Sequence, residues 1–111
     1  MLTEKDYCDY ETCVALKELG YPLIAKEVRY EDKAVFVPGV LLYSAQKWLR
    51  EKKLLHIVID KLLYGAYEFS IVDILNYSEE KNGTANSYEE ALSEGIKEAV
   101  KILKENETIL R

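Results

Sequence analysis

Tyr67-Glu68-Phe69-Ser70-Ile71-Val72-Asp73-Ile74-Leu75-Asn76-Tyr77 is the stretch on which the fold turns. It reads as one long β-strand. Tyr67, Phe69, Ile71 and Leu75 line one face; Ala66, Val72 and Ile74 line part of the other. A strand apolar on both faces predicts cover on both sides. Immediately upstream, Leu63-Tyr64-Gly65 reads as a turn, and Leu54–Asp60 as a strand with Leu55, Ile57 and Ile59 on one face.

Working outward, Val40–Lys53 has the spacing of a helix. Leu41, Ala45, Trp48 and Leu49 mark its apolar stripe, and cations in its last turn complement the helix dipole. Pro38-Gly39 is a turn signal before it. Ile24–Tyr30 and Ala34–Val37, joined at Glu31–Asp32, read as a β-hairpin. Thr3–Leu19 reads as a first helix with Thr3 as N-cap, Asp6 in the first turn and Gly20 as the C′ residue. Downstream, Ser78–Asn86 reads as a polar loop containing the Asn82-Gly83 turn signal. A last helix, Ser87 to about Glu105, opens with the capping box Ser87/Glu90.

The predicted order is α-β-β-α-β-β-α: an α+β domain with an antiparallel four-stranded sheet and three helices. Cover on both faces makes it a three-layer α/β/α sandwich. Were all the helices on one side, the free sheet face is the expected dimer interface.

Composition narrows the function. The 111 residues fit one domain, 1–111, and 49% hydrophobic content supports a core without staples. A net charge of −5 and pI near 5.0 argue against non-specific nucleic-acid binding, which draws on phosphate neutralisation. No apolar run approaches the roughly 20 residues of a membrane span. The first residues lack the pattern of a signal peptide, so the expected location is cytoplasmic.

Catalytic and metal chemistry find little to work with. His56 is the single histidine. In a strand it lies roughly 13 Å along the chain from Asp60. Asp60 and Asp73, expected on adjacent strands, form the one carboxylate pair with potential for acid–base work. Cys8 and Cys13, five positions apart on the predicted first helix, are turned about 140° from each other and are not expected to bond. No cofactor or metal is expected, and catalysis less than binding.

Two surfaces suit binding. Among nine tyrosines, Tyr64, Tyr67 and Tyr77 are the candidate partner or homodimer surface, since tyrosine serves where one end is apolar and the other wet. Lys47, Arg50, Lys52 and Lys53 beside Trp48 form the candidate nucleic-acid patch. The expectation is a non-enzymatic interaction or regulatory protein, with nucleic-acid binding and a small enzyme as alternatives.

Three stretches carry a resemblance: Glu11-Thr12-Cys13-Val14-Ala15-Leu16-Lys17-Glu18-Leu19-Gly20-Tyr21, Ser44-Ala45-Gln46-Lys47-Trp48-Leu49-Arg50-Glu51-Lys52, and Ser87-Tyr88-Glu89-Glu90-Ala91-Leu92-Ser93-Glu94-Gly95-Ile96. Together they resemble a family of small uncharacterised proteins of Bacteroides-type phages, prophages and mobile elements. The resemblance implies a phage-type helix–sheet–helix sandwich, a bacterial cytosol and an accessory role. It implies no catalytic residue.

Overall fold

The structure, a computed structural model, describes residues 4–22, 25–30 and 33–109. Thr3, Ile24 and the Glu31–Asp32 connection of the sequence reading lie outside these. A short 3-10 turn, Glu4–Asp6, precedes α1 (Tyr10–Glu18). The chain continues through β1 (Ala25–Tyr30), β2 (Lys33–Pro38), α2 (Leu42–Lys52), β3 (Leu55–Lys61), β4 (Tyr67–Asp73), β5 (Ser78–Ala85) and α3 (Tyr88–Ile109).

The first helix starts later than its apolar pattern suggests. Asp9 is the N-cap, its Oδ1 accepting from the Thr12 N–H at 2.8 Å. Cys8 then occupies the position before the cap and Cys13 the fourth helical position. The Cys13 thiol reaches the Cys8 carbonyl at 3.7 Å, and both side chains are buried. This is the geometry of a hydrophobic staple. The expectation that the two cysteines face apart is thus corrected: only Cys13 is helical. Burial, reinforced by the neighbouring Cys13 thiol, pushes Cys8 up to about 12, so it stays a protonated thiol and a poor nucleophile. Tyr10 and Val14, read as part of the apolar face, are exposed; Thr12, Cys13 and Leu16 are the buried positions.

The far end of α1 follows the sequence reading. Gly20 takes φ +106°, and its N–H bonds Lys17 O while the Tyr21 N–H bonds Leu16 O. That pair of bonds is a Schellman ending, open to glycine because the left-handed backbone suits it. The Tyr21 ring then packs edge-on against Trp48 of α2, centroids 5.4 Å apart.

Among the described residues, five strands form two sheets. β1 and β2 pair antiparallel in a two-stranded hairpin, and β3-β4-β5 form a three-stranded antiparallel sheet. The expected single four-stranded sheet is therefore corrected. The long strand stops at Asp73, where Ile74–Tyr77 turns the chain. Ser78–Asn86, read as a loop, supplies β5 instead. Asn82-Gly83 is not a turn: Gly83 sits opposite Phe69, whose ring lies where a Gly83 side chain would be. An aromatic laid over a cross-strand glycine supplies the packing the glycine lacks.

The three-layer arrangement is also corrected. Cross-strand pairing puts Leu55, Ile57 and Ile59 on the same sheet face as Tyr67, Phe69 and Ile71. Leu55, Ile57, Phe69 and Ile71 are buried in one cluster with Leu16 of α1, Leu49 of α2 and Ile96 of α3. The described helices thus gather on that face, α2 and α3 against the sheet and α1 against α3. The opposite face carries His56, Val58, Ser70 and Val72, all half-buried. Its share of apolar residues suffices for a partly shielded sheet surface and does not require a second helical layer. Along the β3 edge, Gln46 of α2 donates to Ile57 O at 2.8 Å, capping a carbonyl on the open side of β3 among the described strands. α3 begins as predicted, with the Glu90 N–H bonded to Ser87 Oγ at 3.2 Å.

Candidate interaction surface

One end of the three-stranded sheet gathers the start of β3, the close of β4 and the opening of β5. Leu55 pairs with Asp73, and Asp73 with Ser78. Asp73 organises the turn beyond. Its Oδ1 accepts from the N–H groups of Leu75 (2.9 Å) and Asn76 (3.3 Å), and its Oδ2 from the Asn76 amide at 3.4 Å. Asp73 O accepts from the Tyr77 N–H, and Ile74 N–H donates to Leu54 O, tying the turn to the junction between α2 and β3.

This bonding fixes an apolar tip. Leu75 is 71% exposed, Tyr77 87% and Leu54 37%. Leu54 (φ 58°) and Tyr77 (φ 55°) both adopt left-handed backbone. That conformation costs bulky residues about 1–2 kcal/mol each. Large apolar side chains held outward by a bonded, strained turn match a preformed contact more closely than a passive loop.

The predicted tyrosines do not form one patch. Tyr77 belongs to this tip. Tyr64 is fully exposed beside exposed Leu63 in the β3–β4 turn, at the opposite end of the sheet, about 20 Å away for a strand of this length. Tyr67 is half-buried and packs edge-on against Tyr88, centroids 6.1 Å apart. The cations at the end of α2, in contrast, lead straight into the tip, because Lys52 and its C-cap Lys53 precede Leu54. None of Lys47, Arg50, Lys52 and Lys53 joins an ion pair among the described residues, whereas Lys81, Lys97, Lys101 and Lys104 do. Trp48, the aromatic of the nucleic-acid reading, is engaged by Tyr21 and by Lys53 Nζ, 5.5 Å from its ring centroid.

The acid–base candidates are spread out. Asp73 pairs with Leu55 at one end of the ladder while Asp60 pairs with Glu68 near the other, and His56 pairs with Val72. Asp73 is occupied in its turn. Burial, and then Arg50, hold His56 below its ordinary value of 6.5. The unfolded chain therefore takes up that proton more readily. The stability linked to His56 is present above pH 6.5 and declines as the pH falls through it. An NMR titration should give the single imidazole a midpoint below 6.5, moving upward in Arg50→Gln. The decline in unfolding free energy from about pH 7 to pH 5.5 should shrink in His56→Gln.

A separate cleft of about 570 Å³ lies between the far end of β5 and α3, lined among others by Thr84, Asn86, Glu90, Ser93 and Lys97. Lys97 bonds Asp9 at 3.0 Å and lies 3.8 Å from Glu94. Hydrogen bonds from Thr12, and from Lys97, hold Asp9 below the usual carboxylate value, and the bond to Asp9 raises Lys97. Its lysine is thus committed to holding α1 against α3. Among the described residues no cluster of His, Cys, Asp or Glu is arranged to hold a metal ion, and no helix is long and apolar enough to cross a membrane.

Comparison with protein-family models, curated proteins and solved structures finds no match. Among the described residues the architecture is an α+β domain with three α-helices gathered on one face of a three-stranded antiparallel sheet, a separate two-stranded sheet, and an apolar tip at one end of the larger sheet.

Proposed function

We propose that this chain is a non-catalytic interaction domain that acts by docking a protein through the tip formed by Leu54, Leu75 and Tyr77. The carrying observation is the exposure of Leu75 and Tyr77 on a turn that Asp73 pins through its side-chain and backbone oxygens. Preformed apolar anchors lose little conformational entropy on docking, which makes them effective contact residues. An accessory or regulatory role in a bacterial cytoplasm, in a phage or mobile-element setting, is the context we propose on the resemblance of the three helical stretches. The alternative of nucleic-acid binding through Lys47, Arg50, Lys52 and Lys53 is weaker, because the adjoining Trp48 is already engaged and the chain is acidic.

Affinity capture with the immobilised chain tests this. A partner retained by the native protein should be lost, by about tenfold or more, with Leu75→Ser/Tyr77→Ser. It should be kept with Tyr64→Ser at the opposite end. Equal retention by the tip variant, or salt-sensitive retention of oligonucleotides alone, would refute the assignment.

A further inference from the structure

Resting on the reading of the tip as a docking surface, we propose that its occupant is a second copy of this chain, joined tip to tip about a two-fold axis.

The argument is the distribution of charge around the apolar centre. In the sheet order β3-β4-β5, the tip lies at the middle, with α2 along the β3 side. That side brings Arg50, Lys52 and Lys53 to the end of the sheet, with Glu51 as the acid among them. The β5 side brings Glu79 and Glu80, both exposed. Their carboxylates accept from Asn82 and Ser78 of their own strand and join no ion pair among the described residues. Neighbouring strands lie about 4.8 Å apart, so the two flanks are separated by about 10 Å. Cations flank one side of an apolar knob and acids the other; neither set joins an ion pair among the described residues, Lys53 lying over the Trp48 ring and Lys52 exposed.

A two-fold contact requires a surface that complements itself, each residue of one copy meeting its counterpart's partner on the other. Rotation by half a turn about an axis through the tip brings the cationic flank of one copy over the acidic flank of its mate, twice. Leu54, Leu75 and Tyr77 of both copies then meet at the centre. The apolar centre supplies affinity; the flanking charges fix orientation. A single-sign partner fits less well: an acidic segment or nucleic acid would gain from Lys52 and Lys53 and be repelled by Glu79 and Glu80. Strand-to-strand pairing along β5 is disfavoured as well. Between Ile71 and Val72 the register slips so that Glu80 has no partner on β4. Such a bulge twists an edge away from further pairing.

Sedimentation equilibrium of the full chain tests the proposal, with thermal melts confirming that each variant folds. The native protein should show a concentration-dependent dimer, and Leu75→Ser/Tyr77→Ser should be monomeric over the same range. Lys52→Glu/Lys53→Glu and Glu79→Lys/Glu80→Lys should each weaken self-association about tenfold. Mixed in equal amounts, these two variants should form a heterodimer tighter than either homodimer. Lys61→Glu at the other sheet end should leave dimerisation unchanged. A native chain monomeric at every concentration, or a dimer indifferent to these charge reversals, would overturn the two-fold contact. If that monomeric chain still lost a captured partner on Leu75→Ser/Tyr77→Ser, the docking role of the tip would stand and only its occupant would be wrong. If the tip variant changed neither measurement, both readings would fall.

Discussion

Gly95→Val should leave little folded protein, and Gly95→Ala should cost about 1–3 kcal/mol. In an exposed helix the alanine change would gain about 1 kcal/mol of intrinsic propensity. Here α3 lies directly on the sheet. A Cβ at Gly95 would stand 2.7 Å from Ile57 Cγ2 and 3.4 Å from Phe69 Cβ and Cγ. Ile57 is fully buried, so its methyl group has nowhere to retreat and the helix must lift. Lifting opens contacts to Ile57, Phe69 and their neighbours together. A branched side chain adds further atoms to the same overlap, and a domain of ordinary stability, about 5–15 kcal/mol, has little margin for that. Denaturant unfolding measures the loss. Ile57→Ala should cost less in the Gly95→Ala background than in the native one, because it removes the methyl that clashes. Additive losses would show that the helix and strand are not in this contact.

The same contact shows what the sequence made legible. Gly95 sits inside a strong amphipathic pattern, and nothing local distinguishes a glycine tolerated in a helix from one demanded by a sheet beneath it. Helix ends fared better because their signals are local. Gly20 closes α1 and Ser87 opens α3 where the caps predict. The start of α1 is ambiguous in the sequence because Thr3 and Asp9 are both acceptable caps; Cys8 and Cys13 decide between them only when seen as a staple. β5 is hidden in the sequence for a different reason. Ser78-Glu79-Glu80-Lys81-Asn82-Gly83-Thr84-Ala85 has no apolar alternation, since it is an edge strand held by its ladder to β4 and by one aromatic ring. Asn82-Gly83 has the chemistry of a turn and loses to that ring. Once β5 is recognised, the turn must fall at Ile74–Tyr77, and the spacing Asp73/Asn76 is the signal that was available for it. Of the predicted sites, Tyr77, Lys52 and Lys53 lie at the same end of the sheet. Tyr64 and Tyr67 do not, because the successive turns of the β3-β4-β5 meander fall at opposite ends of the sheet.

Phe69→Ala is expected to cost about 3–5 kcal/mol, the usual loss for a buried aromatic, and to loosen β5 ahead of the rest of the fold. Phe69 is 5% exposed and lies between two glycines. From α3, Gly95 approaches its Cβ and Cγ; from β5, Gly83 lies under its ring, so that a Cβ there would stand 2.6 Å from Cε1 and 2.7 Å from Cζ. Removing the ring leaves a void beneath α3 and strips the aromatic that covers Gly83 from a mostly polar strand. Amide exchange should therefore accelerate in β5 more than in α1, while denaturant melts report the global loss. The position of the ring also predicts a reversal of sign. In the native background Gly83→Val forces the buried ring aside and destabilises. In Phe69→Ala the same valine enters vacated space, restores side-chain packing and β-propensity to the strand, and should recover part of the lost stability. Should Gly83→Val destabilise equally in both backgrounds, the ring would not be what holds β5 in place.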